Sequence, residues 1–156
     1  EAEAFLRAAS FAGLSQLPVT RNVLRVTLRL YPPVPMMVRV ASRAQVFRKR
    51  NVKKGAQIVI SPWHLGRHED AWNDPDAFRP ERWEAKPARE AYLPFSAGPR
   101  VCPGAGFAMA EGAILLAALM ARFHFDQAEQ PVPVAHLTTR ARDGIFLNVT
   151  PRNKLS

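Results

Sequence analysis

The chain has 156 residues, 47% hydrophobic and 22% charged, so it is apolar enough to bury a core and is not disordered by composition. Its 22 Lys and Arg residues exceed its 13 Asp and Glu residues, and the net charge of +9 favours acidic partners: a protein, a nucleic acid or anionic carboxylates. The single cysteine excludes an internal disulfide framework and a four-cysteine cluster within one chain. Because the sequence lacks an initiator Met and a visible signal peptide, we expect residues 1–156 to form a single partial domain of a longer chain.

The N-terminal part predicts two helices. Residues 1–12, rich in alanine, suit the end of a helix. Thr20 is expected to cap a second helix that runs to about Tyr31, because apolar side chains follow at helical spacing. The Pro32-Pro33 pair ends this helix, since proline disfavours the α conformation in the residue before it.

Short strands and a long loop are predicted next. Residues 36–41 are expected to be extended, and 44–47 and 57–60 are strand-like runs on either side of a basic turn at 53–55. Residues 61–103 form a loop region, most of it rich in Pro, Asp, Arg and Trp and without clear periodicity. Long ordered loops of this kind are usually functional in compact domains.

The C-terminal part predicts a strong helix and a hairpin. The helix spans about residues 104–123, and its composition favours a buried helix of a soluble protein over a membrane span. Residues 137–142 and 145–150 around Asp143-Gly144 carry a hairpin signal. The core-facing stripe of the helix is expected to contain Phe107, Ile114, Leu115 and Ala118.

The residues with the clearest chemistry lie at 95–104, immediately before the long helix. Cys102 is the only soft anionic ligand in the chain, and a position just ahead of a helix N-terminus favours its thiolate form. Gly98 allows a tight turn that points the sulfur outward, and Gly104 allows the helix backbone to approach a flat cofactor. The pattern therefore indicates a thiolate ligand for a planar metal cofactor.

Two further side chains of this loop suit a cofactor. Arg100 is placed to meet an anionic group at the cofactor edge, and Phe95 to shield the sulfur from water. A lone cysteine is most often a small buried hydrophobic residue, but the surrounding pattern argues against that interpretation. A cysteine nucleophile would need a partnered histidine, and none of the four histidines lies in an obvious catalytic motif.

With these residues the chain resembles the cytochrome P450 family, whose haem-thiolate signature is the loop F-x-x-G-x-R-x-C-x-G. Residues 28–35 look like the end of the family's K helix, and residues 74–83 like the conserved stretch that introduces its meander. The order also matches: K helix, small β-sheet, meander, cysteine loop, L helix and terminal β-hairpin. The resemblance implies a mixed α/β, mainly helical fold, corresponding to the C-terminal part of the cytochrome P450 fold and to less than half of its catalytic domain.

The resemblance implies haem b (iron protoporphyrin IX) as cofactor, with Cys102 as the metal ligand. Arg39 matches an arginine that the family pairs with a haem propionate, and the alternative is an ordinary charge at a strand end. No catalytic residue is assigned, because the family's I helix has no counterpart in these residues. The implied cofactor-binding positions are Arg39, Phe95, Gly98, Arg100, Cys102 and Gly104.

The chain departs from the family near the K helix. The family's E-x-x-R motif would place a glutamate at position 26, where this chain has Val26. Arg29 and Arg82 match the two arginines of the family's structural triad, but their carboxylate is missing. Buried guanidinium groups without an anion are costly unless water or another group reaches them, and solvated surface arginines are the alternative. The family also often has histidine before Arg67, where this chain has Gly66.

The implied activity is that of a haem-thiolate monooxygenase, which inserts one oxygen atom of O₂ into an apolar organic substrate. A ferredoxin or flavoprotein would supply electrons, and the thiolate would favour O–O bond cleavage. The alternative is a truncated or degenerate haem-binding module without turnover, favoured by Val26 and the missing I helix. A nucleic-acid binder is supported by the net charge alone, so no nucleic-acid partner is expected.

Partners and location follow from the same interpretation. Lys86, Arg89 and Arg100 are expected to cluster around the cysteine loop and to steer an acidic electron donor, whereas scattered solvated charge is the alternative. The missing N-terminal portion is a candidate second chain. No membrane segment is identified in these residues, so a soluble, bacterial-type cytoplasmic protein is expected, and a membrane anchor in an N-terminal part outside these residues is the alternative.

Overall fold

The computed structural model describes residues 1–7, 10, 12–85 and 87–152. The helices are α1 (Ala2–Arg7), α2 (Pro18–Leu30), α3 (Pro62–Leu65) and α4 (Ala105–Arg122). The strands are β1 (Met37–Val40), β2 (Gln45–Phe47), β3 (Arg50–Val52), β4 (Gln57–Ile60), β5 (Phe123–Gln127), β6 (Pro133–Ala135), β7 (Thr139–Ala141) and β8 (Leu147–Pro151). Single turns of 3₁₀-helix lie at Ala12–Gln16, Pro80–Trp83, Arg89–Ala91 and Gly98–Arg100. The predicted helix over 1–12 is present as α1, while residues 8, 9 and 11 of that stretch lie outside the described residues.

Helix α2 begins earlier than predicted, and Thr20 is not its N-cap. Leu17 occupies the cap position, and Pro18 follows in the first turn, where a missing N–H costs nothing. Thr20 lies inside the helix, where its N–H and hydroxyl donate to the Glu1 carboxylate at 2.6 and 2.7 Å. The N–H of Val19 also donates to Glu1, at 3.2 Å. A carboxylate from the start of α1 therefore satisfies the free N–H groups that a capping side chain would otherwise have taken.

The predicted N-terminal strands are present, and a further strand, β3, lies between two of them. β1 pairs antiparallel with β4 (Met37 opposite Ile60), and β2 pairs with β3, which the sequence did not predict. Residues 53–55 do turn the chain, but they connect β3 to β4. The sequence of β3 has no apolar alternation, so its pairing gave no period-2 signal.

The predicted hairpin around Asp143-Gly144 is wrong. Gly144 does turn the chain, with a φ of 96°. However, β7 on its N-terminal side pairs with β6, and β8 on its C-terminal side pairs with β5, directly after α4. The local turn signal was real, but the strand partners were set by contacts distant in sequence.

Helix α4 confirms its predicted bounds to within one residue, but it buries a different face. Ala113, Ala117 and Ala121 are its buried residues, and the first two pack with Phe5 and Leu17 in the core. Alanine occupies the buried face because small side chains let α1 and α2 approach α4 closely. The predicted core stripe is wrong: Phe107, Ile114 and Leu115 are exposed and Ala118 is half-buried.

The outer side of α4 is strongly apolar. Among the described residues, α4 is the one helix long and apolar enough to cross a membrane by length and composition, with 17% of the window buried. The described part of the chain thus covers only a small share of this helix. Core helices of soluble proteins pass the same length test, so composition does not assign α4 to a membrane.

Candidate functional site

The cysteine loop is closed by its own backbone. The N–H of Cys102 donates to the carbonyl oxygen of Phe95 at 2.9 Å, and the N–H of Val101 donates to Gly98 at 3.0 Å. Gly98 has a φ of 70°, in the left-handed region that favours glycine. Phe95 is half-buried, and Cys102 is exposed at the end of the loop. The tight turn therefore presents the thiol outward, as the sequence predicted.

Gly104 lies between the cysteine and α4. A Cβ atom built on Gly104 would lie 3.8 Å from the Sγ atom of Cys102, an ordinary contact distance. A Cβ built on Gly106 would meet nothing within 4 Å. Nothing in the described chain therefore requires glycine at these positions, and the space beside the sulfur is free for a group that the loop binds.

Arg39 reaches this loop from β1. Its Nη2 atom donates to the hydroxyl of Ser96 at 2.8 Å, and its Nη1 atom donates to its neighbour Val38 at 3.0 Å. Arg39 is half-buried, whereas Arg100 is exposed, and Ser96 and Arg100 belong to the same loop. The structure thus places a strand guanidinium against the cysteine loop, and its pairing with a haem propionate stays a prediction.

Arg29 occupies a buried corner between α2 and the loops that follow β4. It is 1% exposed, and its guanidinium donates to the carbonyl oxygens of Gly66 and Pro75 at 2.5 Å and of Ala77 at 2.8 Å. Its charged end also lies 5.0 Å from the ring centre of Trp72. The prediction that Arg29 needs a partner other than the missing glutamate is confirmed, and the solvated alternative is wrong for this residue.

Arg82 is held in a similar way. Its guanidinium donates to the carbonyl oxygens of Asn73 and, at 2.6 Å, of Asp74. Within the described part of the chain, the Nε atoms of Arg29 and Arg82 have no hydrogen-bond partner. Val26, at the position of the missing glutamate, is fully buried. Backbone oxygens have therefore replaced the carboxylate in satisfying these two arginines.

The charge of Arg29 is electrostatically disfavoured at this corner, because it is buried near two other arginines. The pKa of Arg29 is lowered to about 10, first by burial and then by repulsion from Arg82 and Arg67, while Asp76 opposes the shift. Asp76 lies 3.2 Å from Arg67. Asp76 therefore offsets part of the repulsion, while the hydrogen bonds of Arg29 go to backbone oxygens.

Sequence reasoning missed the contributions of Gly66 and Arg67. A Cβ atom at Gly66 would lie 2.3 Å from the carbonyl oxygen of Arg29, so only glycine fits there. Arg67 donates to the carbonyl oxygen of Leu30 at 2.5 Å and lies 3.8 Å from the ring centre of Trp63. The signal that was available is Gly66 itself, where the family often has histidine.

The remaining predicted residues are the basic side chains near the loop and the histidines. Lys86 lies outside the described residues, and the backbone of Arg89 begins a 3₁₀ turn. The basic surface around Arg100 therefore stays a prediction. The polar side-chain contacts of His64, His68 and His124 are local, with Ser61, Asp70 and Asp126, so in the described chain none of these three is paired with Cys102. This argues against a cysteine nucleophile.

The residues present fit a haem. Cys102 offers an exposed sulfur, the flanking glycines leave space beside it, and two arginines lie in or against the loop. In the described residues, no three His, Cys, Asp or Glu side chains come together as a metal-binding group. A metal at Cys102 would thus take its other ligands from a cofactor, which is the chemistry of haem-thiolate proteins.

The chain belongs to the cytochrome P450 family, because the family model described as "Cytochrome P450" matches residues 3–155. It is 36% identical over 141 residues to cytochrome P450 4A10 of Mus musculus, covering 87% of this chain and 28% of that protein. It is 35% identical over 152 residues to cytochrome P450 4d1 of Drosophila simulans, covering 92% of this chain and 30% of that protein. The chain therefore spans less than a third of the length of these curated relatives.

A solved structure confirms the fold. The haem domain of a cytochrome P450DA mutant matches with a TM-score of 0.86 at 26% identity, covering 94% of this chain and 34% of that chain. The mixed α/β, mainly helical C-terminal part of the cytochrome P450 fold is thus confirmed. The family and this haem domain also support haem as the cofactor. The predicted soluble, bacterial-type location is not confirmed.

Proposed function

We propose that the chain is the haem-binding C-terminal part of a haem-thiolate monooxygenase that inserts one oxygen atom of O₂ into an apolar organic substrate. The observation that carries the proposal is the exposed Cys102 at the end of a backbone-closed loop, directly ahead of α4, in a chain of this family. A bound haem would supply the oxygen chemistry, which electron donation from the Cys102 thiolate would favour.

The roles of the loop residues follow from their positions. Cys102 would hold the haem iron through its thiolate, and the N-terminus of α4 would stabilise the negative charge of its sulfur. Arg39 and Arg100 would pair with the anionic propionates at the cofactor edge. Phe95, half-buried and bonded through its carbonyl to the Cys102 N–H, would hold the loop closed and limit water near the sulfur. Gly98 would allow the tight turn of the loop, and Gly104 would leave space for the cofactor beside the sulfur.

Arg29 and Arg82 have a supporting role in this proposal. The Arg29 guanidinium fastens residues 66–77 to α2, and the Arg82 guanidinium fastens residues 73 and 74 to the 3₁₀ turn Pro80–Trp83, in both cases by hydrogen bonds to backbone oxygens. Such bonds hold an irregular segment in one conformation, and charge-assisted bonds are the stronger kind. The segment leads into the cysteine loop, so these arginines are positioning residues rather than catalytic ones.

The partners belong to the whole protein. An electron donor, a ferredoxin or a flavoprotein, would approach the exposed loop near Arg100, where positive charge steers acidic proteins. The substrate would be an apolar small molecule held mainly by parts of the fold outside these residues, including a candidate second chain. A cytoplasmic location remains part of this proposal.

A second candidate function is a haem-binding module without turnover. The specific observation in its favour is Val26, which is fully buried where the family's triad has a glutamate. A protein that keeps the cysteine loop but not the triad would bind haem without sustaining oxygen-dependent turnover.

Spectroscopy of the haem-loaded chain tests both functions. With Cys102 as ligand, reduction under carbon monoxide should give the red-shifted Soret band of thiolate ligation, with one haem per chain by pyridine haemochrome assay. Cys102→His should lose this band, while Val101→Ala, at the exposed neighbouring position, should keep it. An unchanged band in Cys102→His would overturn the ligand assignment. Oxygen consumption with an apolar substrate, measured on the whole protein that contains this chain, distinguishes the enzyme from the silent module.

A further inference from the structure

Ser96, in the cysteine loop, adopts a backbone conformation that its residue type disfavours. Its φ is 64°, in the left-handed region, where a side chain is costly. Gly98 has a similar φ, 70°, without that cost. Within residues 95–104, all of which the structure describes, Ser96 is the one residue other than glycine with a positive φ. Glycine would form the same turn more easily, so the backbone alone does not explain a serine at this position.

The hydroxyl of Ser96 makes a contact that glycine could not make. It accepts a hydrogen bond from Nη2 of Arg39 at 2.8 Å, and both side chains are half-buried. The N–H of Ser96 donates to the carbonyl oxygen of Leu93 at 3.2 Å, so the loop backbone is held in place on the N-terminal side of the serine. The strained residue therefore presents a fixed acceptor to an arginine from another part of the chain.

Strand β1 directs Arg39 to this acceptor. Arg39 and Met37 lie on the same face of β1, and Nη2 of Arg39 is 3.8 Å from the sulfur of Met37. Nη1 donates to the carbonyl oxygen of Val38 at 3.0 Å. A guanidinium group has five N–H donors, so these contacts and the bond to Ser96 leave N–H groups for an anionic partner. The arginine is thus held in one orientation without being used up.

We propose that Ser96 is a positioning residue, which holds the Arg39 guanidinium against the cysteine loop before haem binds. A flexible side chain loses rotamer freedom when it pairs with an anion, and a hydrogen bond that already orders it reduces that loss. The strain at Ser96 is then the consequence of placing a hydroxyl at a point of the loop where glycine would fit better. This role rests on the proposed function, because it requires that Arg39 meets a carboxylate of the bound haem.

Two substitutions at Ser96 separate the hydroxyl from the backbone. Ser96→Ala removes the hydroxyl and keeps the strained side chain, whereas Ser96→Gly removes both. Without haem, the full chain should therefore melt about 2–4 °C higher as Ser96→Gly than as Ser96→Ala. In transfer of haem to apomyoglobin, both variants should nevertheless lose haem about three- to tenfold faster than the parent. A role in the backbone alone would instead leave haem loss from Ser96→Gly at the parental rate.

Two further variants show whether the effect passes through Arg39. In an Arg39→Leu background, Ser96→Gly should no longer accelerate haem loss, because the side chain that the hydroxyl holds is absent. Ala97→Gly, at the exposed neighbouring position, is the control for loop flexibility and should stay within about twofold of the parental rate. Parental haem loss in Ser96→Gly, equal acceleration with and without Arg39, or the same acceleration in Ala97→Gly would overturn the proposal. Ser96→Gly and its double variant decide the matter even if Ser96→Ala does not fold.

The reduced carbon-monoxide spectrum distinguishes failure of this role from failure of the proposed function. The Ser96 variants should keep the red-shifted Soret band of the parent, since Cys102 is unchanged. If the band is kept and the rates of haem loss stay parental, the role of Ser96 is wrong while the thiolate assignment stands. If Cys102→His also keeps the band, the proposed function itself is wrong.

Discussion

The buried corner around Arg29 and the surface around Cys102 differ in what completes them. In the corner, the chain itself supplies the partners of the Arg29 guanidinium: backbone oxygens accept its hydrogen bonds, and the ring of Trp72 lies 5.0 Å from it. Val26, one turn earlier on α2, is fully buried. Beside the cysteine, the sulfur is exposed, and apolar side chains of α4 such as Phe107 face outward at 70% exposure.

This difference indicates that the two regions have different roles. Exposed apolar surface of this extent marks a region made to contact something else. In the described chain the corner is closed by its own contacts, whereas the cysteine side leaves its sulfur and apolar side chains exposed. Changes in the corner should therefore act on folding, and changes beside the cysteine should act on cofactor retention with little effect on the chain alone.

The largest loss of stability is expected when the charge of Arg29 is removed from the corner. Arg29→Ala would leave three buried backbone oxygens without hydrogen-bond partners and would open a cavity. It should therefore lower the free energy of unfolding by about 3–5 kcal/mol. Arg21→Ala, on the same helix but half-buried, is the matched control and should cost less than about 1 kcal/mol. Urea unfolding curves measure both. Equal losses would mean that the corner has no special role.

A pair of glycine substitutions compares the two regions directly. Gly66→Ala would force a Cβ to within 2.3 Å of the Arg29 carbonyl oxygen, and should destabilise the chain by about 2–3 kcal/mol. Gly106→Ala, in α4, meets nothing within 4 Å and should stabilise the chain without haem by about 0.5–1 kcal/mol. Thermal melts of both variants test the contrast. A tolerated alanine at position 66 would show that the corner is not tightly packed.

Two substitutions at Val26 sharpen the electrostatic part of the comparison. Val26→Gln places a larger polar side chain in a fully buried site and should destabilise the chain by about 1–3 kcal/mol. Val26→Glu has the same shape but adds a negative charge near Arg29, whose pKa is lowered by burial and by Arg82. The glutamate variant should therefore be the more stable of the two. The reverse order in urea unfolding would show that the missing carboxylate is not electrostatically needed.

On the cysteine side, the arginines should act on haem and not on the fold. Arg39→Leu and Arg100→Leu should each weaken haem retention by about 1–2 kcal/mol, the usual size for charge-assisted bonds. Stopped-flow transfer of haem to apomyoglobin gives the rates, and Arg122→Leu at the far end of α4 serves as control. Parental transfer rates in both variants would remove the proposed propionate clamp.

Sequence reasoning worked where the signal was local. The cysteine loop and the bounds of α4 were predicted because a short pattern and a helical composition determine them. The buried face of α4 was not, since the choice of Ala113 and Ala117 over Leu115 depends on how closely α1 approaches. Strand partners were missed for the same reason: alternation predicts a strand but not its neighbour.

The corner shows a second limit. That Arg29 needs a new partner followed from Val26, but the partners are backbone oxygens at positions 66, 75 and 77. A backbone oxygen has the same chemistry in every residue type, so a sequence does not reveal it as an acceptor. In the sequence, Gly66 was the residue that indicated a close approach between this loop and α2.

The smallest expected effect concerns the contact that joins α1 to α2. Burial opposes ionisation of Glu1, but hydrogen bonds from Thr20 and Val19 outweigh it, so the pKa of this carboxyl lies below its ordinary value of 4.5. A lowered pKa in the folded state means that the contact stabilises the fold above about pH 4.5 and that this contribution is lost as the pH falls through the lowered pKa. Glu1→Gln should therefore cost about 0.5–1 kcal/mol at neutral pH, the usual value of a capping bond, and nothing at a pH below the lowered pKa. Glu3→Gln, on the same helix and exposed, should change little at either pH. Melting curves at the two pH values test the idea. A pH-independent difference between Glu1→Gln and the parent would show that the carboxylate charge does not take part in the contact.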